Sequence, residues 1–544
     1  MWAKHVSHKA LILSTVIAAG CATGPSSPGL GKQVSETFAS DDPCSNNARN
    51  LGILGGAVLG AIIGNNATDG NKKNARLAGA ALGGIVGGFI GADMDRKRCE
   101  LSKVAKQHNL EMVFSTIDAA GNTNPVSSSQ ANSQAKPATS NPNATIGNAV
   151  SIRDKDGNSG HFEIGSAELT PKAREYFSAI AAQYSVDTLV SIQTDPKQKE
   201  EIKRQLAQRK ILLVGHTDDT GSSLLNADLS EKRARAVASL LRQKGVPEAN
   251  LFYQGAGETL PIADNRTVEG RAANRRVEII EIADEEGFKK YLDNRTPQYA
   301  FYRPSSAQES TATKPPNTAS NAPSVPAREV PAPKAAPNSQ GSKPVLAQRP
   351  AAGVKPAIDF GGMPYTSLSA RIDSGPRQND RGFSLISSAY ADDNIVTVDC
   401  SRDRPRSAGS VKSLREGSSY RTTEYLPQLY GKTWASQVNG HLLVINQLTI
   451  LRNGGTPGNL PELKIYPNYK PGNLASPQVS EEPLVNSYLV EKGVLYRIFP
   501  SGQGGLKCLD VLFAAEGGKT ARAGKLIYSA ETASLVADFK LQLQ

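Results

Sequence analysis

The chain has 544 residues, too many for one ordinary domain and enough for roughly two to four. Only 39% are hydrophobic and the formal net charge is +11, which suits either an anionic polymer or lipid surface or an ordinary solvated exterior. No basic block is interleaved with aromatics, which argues against nucleic acid as a partner.

Residues 1–20 have the layout of a secretory signal: Lys4 and Lys9, then the short apolar run ALILSTVIAA over 10–19, too short to span as a mature helix. The end, Ala18-Ala19-Gly20-Cys21, resembles the lipobox of bacterial lipoproteins, with Ala18 where those boxes usually carry Leu. The resemblance implies lipidation at Cys21 and stable anchoring in a membrane. Ala22, rather than Asp, follows the cysteine, which implies the outer membrane and a periplasmic face. The other four cysteines fall into two local pairs, as an oxidising compartment permits. They have no zinc-site spacing, so no metal and no cofactor is expected.

Residues 45–110 open with two glycine-rich apolar runs. Gly52, Gly56, Gly60 and Gly64 recur every four residues, as do Gly79, Gly83, Gly87 and Gly91. Period four puts each set on one helical face, where another backbone can approach closely. A polar turn between the runs predicts an antiparallel helical hairpin, and the pattern resembles the glycine zipper of envelope lipoproteins. Each run is shorter than the roughly 20 residues a spanning helix needs. Dipping into a membrane, spanning a thinned one and self-association all stay open. Cys44 and Cys99 flank the hairpin at its open end, which predicts a bridge between them. A charged helix follows over 93–110.

Residues 111–147 are assigned to a flexible linker rich in Ser, Asn, Ala and Pro, and residues 148–285 to a globular domain. Its predicted elements are a helix over 171–185, a strand within 211–221, a helix over 227–246, and strands over 250–258 and 275–282. Asp228 or Ser230 is the expected cap of the second helix and Gly245 its end. This is a βαβαβ pattern plus a final strand. The segment 190–210 reads as an inserted, solvated helix. A Pro/Ala-rich linker spans 303–360, long enough to reach on the order of 100 Å. Residues 361–544 form a β-rich domain of unread function, with strands over 441–451, 486–500 and 506–516 and a bridge between Cys400 and Cys508. The fold class is thus multidomain α+β.

One constellation carries chemistry. Arg233 shares a helix face with Leu229 and Val237, where a guanidinium needs an anion. Asp218 lies just past the central strand. The two can pair with each other, or stand apart and receive a zwitterion, Asp218 taking an ammonium and Arg233 a carboxylate.

Gly215-His216-Thr217-Asp218-Asp219-Thr220-Gly221, Asn226, Leu229-Ser230, Arg233-Ala234, Gly255-Ala256-Gly257-Glu258, Glu269-Gly270-Arg271 and Asn274-Arg275-Arg276-Val277-Glu278 occur in that order. Together they resemble the OmpA C-terminal family, which includes peptidoglycan-associated lipoproteins. The resemblance implies a mixed β/α sandwich. It also implies a site for the diaminopimelate of peptidoglycan stem peptides, held by Asp218 and Arg233. Thr217, Asn226 and Leu229 match pocket positions, and Arg276 belongs to a motif beside the site. At the family's first strand this chain has His161-Phe162-Glu163-Ile164, with Gly165 or Ser166 where a polar contact is usual. No catalytic arrangement is visible, so a non-enzymatic tether between outer membrane and wall is expected. The alternative is a wall-anchored part of a secretion or conjugation apparatus, whose C-terminal domain binds a protein partner.

Overall fold

The computed structural model describes residues 44, 93–125, 145–154, 160–191, 196–304, 357–375, 395–420, 425–457, 459–472, 476–530 and 533–544. The expected signal segment, Cys21 and the hairpin expected over 51–91 lie outside the described residues. The chain divides into two units, residues 1–102 with 125–145 and residues 103–124 with 146–544. In the first, residues 93–102 are helical, with Asp93 salt-bridged to Arg96 and Lys97 one turn on. Cys44 is disulfide-bonded to Cys99.

The second unit opens on β1 (Leu110–Asp118), β2 (Thr123–Pro125) and β3 (Thr145–Asp154). The linker expected over 111–147 is therefore too long by two strands. The Ser/Asn composition of its later part masked the apolar run LEMVFSTID, which buries Leu110 and Ile117. Next come α1 (Pro171–Ala182), α2 (Val186–Ser191), α3 (Pro196–Gln208) and β4 (Lys210–His216). The inserted helix α3 is not wholly solvated, since Ile202 and Leu206 are buried. Then follow α4 (Ser223–Gln243), β5 (Leu251–Gly257), α5 (Val268–Asn274), β6 (Val277–Ile282) and α6 (Glu285–Asn294). Helix α4 starts four residues before the expected position and takes Ser222 as its N-cap. Asp228 and Ser230 sit inside it. Gly245, at φ +91°, lies just past its end as expected.

The remaining strands are β7 (Met363–Pro364), β8 (Lys412–Ser413), β9 (Trp434–Val438), β10 (His441–Asn446), β11 (Glu462–Tyr466), β12 (Val479–Glu481), β13 (Leu484–Val490), β14 (Gly493–Phe499), β15 (Leu506–Phe513), β16 (Ala523–Ala530), β17 (Ala533–Phe539) and β18 (Gln542–Leu543). The single strand expected over 486–500 is a hairpin, β13–β14. Its turn is hidden in the sequence because only Glu491 and Lys492 interrupt the apolar run.

The described residues form three sheets, in the orders β2-β1-β3-β6-β4-β5-β8, β12-β11-β10-β9-β18 and β13-β14-β15-β16-β17-β7. The last two enclose one core that includes Trp434, Ile445, Ile465, Tyr496, Val511 and Tyr528, a β-sandwich. Ile358 and Phe360, assigned to the end of the second linker, are buried in that core. Cys400 and Cys508 are bonded, with Cα atoms 5.9 Å apart.

The first sheet is mixed. β4 and β5 are parallel, and β6 returns antiparallel between β3 and β4. Helix α4 packs on one face, against β4 and β5. The other face buries Leu212, Val214, Phe252, Ile280 and Ile282 against Phe288, Tyr291 and Leu292 of α6. Val411 joins that core and β8 extends the sheet edge, pairing Lys412 with Tyr253 and Ser413 with Phe252. The region 361–544 is therefore not a free-standing domain. Its segment around 403–420 completes the first sheet. Composition could not show this, because β8 is two residues long and its partner is far away in sequence.

Candidate functional site

The site lies where the topology gathers three chain segments. β4 and β5 are parallel, so the loops leaving them emerge at one edge of the sheet. β6 is antiparallel to β4, with Val277 opposite Gly215, so the residues entering β6 arrive at that same edge. The His216 amide donates to the Arg276 carbonyl at 3.0 Å, which brings Arg275 beside the loop after β4.

Helix α4 closes over this edge because two glycines let it. A Cβ on Gly215 would meet the Ser230 carbonyl at 2.2 Å, and one on Gly255 the Ala227 carbonyl at 2.3 Å. The first half of α4 thus lies directly on the strand ends, and Arg233 follows one turn later. A cavity of about 430 Å³ results, lined by Phe162, Thr217, Asp218, Asn226, Leu229, Arg233, Arg275 and Arg276 among others. All six predicted pocket residues reach it.

Their roles differ. Asp218 accepts from the Thr220 amide at 3.0 Å and from the Thr220 hydroxyl, an Asx-type turn that fixes its carboxylate. Its other oxygen accepts from Arg275 Nη1 at 2.7 Å. Burial pushes the Asp218 carboxyl up, but the Thr220 and Arg275 hydrogen bonds outweigh it and hold the group below its ordinary value. Asp218 is therefore a carboxylate at neutral pH.

Arg233 does not pair with Asp218. Its Nε donates to the Ser166 carbonyl at 2.9 Å, and its guanidinium carbon lies 4.9 Å from the centre of the Phe162 ring. Among the described residues its Nη1 and Nη2 have no acceptor. Burial and the nearby Arg275 charge pull the Arg233 guanidinium below its usual value, with Asp218 opposing. Where Gly165 and Ser166 replace the polar side chain usual in the family, the Ser166 carbonyl thus takes one donor of Arg233. The residues 161–164 expected at the first strand form a loop instead, His161 bonding Tyr176 Oη and the Ile152 carbonyl; that first strand is β3.

Asn226 lines the cavity and also locks the loop, donating to the Thr220 carbonyl at 3.0 Å and to Glu258 at 2.9 Å. Thr217 is buried, and its hydroxyl has no partner among the described residues. Arg276 lines the cavity with two of its nitrogens already bonded within the protein. Its Nε meets Glu278 at 2.8 Å and its Nη2 the Leu260 carbonyl at 3.0 Å. Its neighbour Arg275, 42% exposed, is the arginine of that motif paired with Asp218. Both arginines precede β6, which starts at Val277, so no local pattern separates them.

Beneath the site, His216 Nε2 lies 3.4 Å from Glu278. Burial and the Arg276 charge push the His216 imidazole down to about 4. Burial would raise the Glu278 carboxyl, but Arg276 and His216 overcome it and hold it far below its ordinary value.

Residues 161–275 match the OmpA family. Residues 51–98 match a glycine zipper. The outer-membrane lipoprotein YfiB of Pseudomonas aeruginosa is 49% identical over 71 residues, 13% of this chain and 42% of that protein. The peptidoglycan-binding protein ArfA of Mycobacterium tuberculosis is 46% identical over 71 residues, 13% of this chain and 22% of that protein. The chain spans less than half the length of either relative. Among solved structures, the cell wall anchor of the T6SS from Pseudomonas aeruginosa is 28% identical, covering 26% of this chain and 85% of that one, with a TM-score of 0.19.

Proposed function

We propose that this chain is an outer-membrane lipoprotein, anchored through Cys21, that binds peptidoglycan non-covalently and tethers the membrane to the wall. The ligand is the free zwitterionic end of diaminopimelate in the stem peptide. The observation that carries this reading is the Asp218–Arg233 arrangement. A carboxylate and a guanidinium line one cavity without neutralising each other, and both terminal nitrogens of Arg233 lack an acceptor among the described residues.

A partly buried guanidinium with spare donors favours a carboxylate that can bind it bidentately. Asp218, ionised and oriented by Thr220, takes the ammonium at the other end. Arg275 is bonded to Asp218 and half-exposed, so it can turn toward the ligand carboxylate when the ammonium replaces it. The names of the relatives, an outer-membrane lipoprotein and a peptidoglycan-binding protein, support the compartment and the ligand class.

The test is co-sedimentation of the full chain with purified sacculi. Asp218→Ala and Arg233→Ala are each expected to lose sedimentation with diaminopimelate-type peptidoglycan. Lysine-type peptidoglycan, which lacks the distal carboxylate, should bind weakly even to the parent. Undiminished pelleting of both variants would overturn the reading.

A further inference from the structure

We propose that the C-terminal module is a working part of the wall-binding site, with Arg404 as the positioning residue that braces the ligand loop from behind. The proposal rests on the assignment of Asp218 and Arg233 above. The loop over 217–222 has two sides. Asp218 faces the cavity, and its neighbour Asp219 is buried on the opposite side.

Behind the loop stands Arg404. Its Nη1 donates to the Asp219 carbonyl and its Nη2 to the Gly221 carbonyl at 2.9 Å. The same Nη2 lies 3.1 Å from the Glu258 carboxylate, whose side chain is fully buried. Asn226 caps the intervening Thr220 carbonyl and also meets Glu258. Arg303 adds a fourth hold, its Nε 3.1 Å from the Asp219 carboxylate. Three consecutive loop carbonyls are thus capped by side chains, two of them by one residue from 183 to 185 positions away.

Arg404 is itself held from the β-sandwich. Its amide donates to Asp403 at 2.7 Å and its carbonyl accepts from Asn486 of β13 at 2.9 Å. Asp403 is fixed by Arg406 at 2.8 Å and by Arg497 of β14 at 3.0 Å. A continuous run of hydrogen bonds therefore leads from the sandwich core to the back of the loop that aims Asp218. Such a brace fixes the loop before the ligand arrives, so less ordering is lost on binding.

Two variants of the full chain test this. Arg404→Lys keeps a positive charge beside Glu258 but cannot fork to both carbonyls. Arg404→Met combined with Glu258→Gln removes the buried charge pair and leaves Asn226 its acceptor. With a stem tripeptide ending in diaminopimelate as the calorimetric probe, each should raise Kd about tenfold. In unliganded protein, amide exchange at Thr220 and Asn226 should speed up by a similar factor, while the thermal midpoint stays near that of the parent. Unchanged Kd and unchanged exchange in both variants would overturn the brace. If the parent itself does not bind the tripeptide, the ligand assignment fails, and the exchange rates still decide whether Arg404 holds the loop.

Discussion

Arg497 and Arg233 are both arginines drawn out of water beside carboxylates, and they differ in how many of their donors are used. Arg497, fully buried in the sandwich, bonds Asp510 through Nε at 2.7 Å and Nη2 at 3.2 Å. It also reaches Asp403 and the carbonyls of Ile395 and Val398. Burial opposes its charge, but Asp510 and Asp403 outweigh that and raise its pKa. Arg233 spends one nitrogen on a carbonyl and keeps two. A saturated buried cluster is architecture. An unsaturated one at a cavity wall has unspent binding energy. Residue types alone do not distinguish the two, because both are Arg near Asp.

The comparison predicts opposite phenotypes. Arg497→Ala strands Asp510 in the core and leaves Asp403 with Arg406 as its remaining cation, and should cost about 3–5 kcal/mol of stability by chemical denaturation. A loss under about 1 kcal/mol would place that cluster in the same class as the cavity. The second test lies beneath the site. The folded-state His216 pKa is depressed from 6.5 to about 4, so the unfolded chain binds the extra proton within that window. Stability is then complete above pH 6.5 and falls by roughly 3 kcal/mol as pH drops toward 4. Arg276, Glu278 and Arg295 are the charged groups that act on this imidazole. His216→Leu should flatten that part of the stability profile, and an unaltered slope would remove His216 as its source. The smallest effect is expected at the site itself. Arg233→Ala gives up one hydrogen bond and a contact with Phe162, about 1 kcal/mol. Its melting curve should stay close to the parent's even as wall binding is lost.

Legibility followed the reach of local pattern. Runs such as ILLV over 211–214 and the helical stripe of Leu229, Val237 and Leu241 carried enough periodicity to place β4 and α4. The first turn of α4 was missed because Ser223, Leu224 and Leu225 precede the better-looking caps, and their helical state depends on the loop bound by Asn226. β1 was missed because a polar tract follows it, and the β13–β14 hairpin because its turn is only two charged residues. The cavity residues were legible as a set, since motif spacing determines which side chains leave the strand ends. The division of labour between Arg275 and Arg276 was not, since adjacent residues in a turn can face either way until the strand register is known.

The sequence by itself determined two charged side chains of the cavity: an Asp after a buried strand and an Arg on the apolar face of the next helix. Local periodicity sets those positions within a turn of chain. It also placed the cysteines in workable pairs. Only the tertiary structure decided that Asp218 and Arg233 stay apart, that Arg276 bonds Glu278 and the Leu260 carbonyl, and that Arg404 reaches the back of the loop. Those outcomes depend on strand register and on contacts more than a hundred residues apart, and no local pattern encodes a distance of that kind.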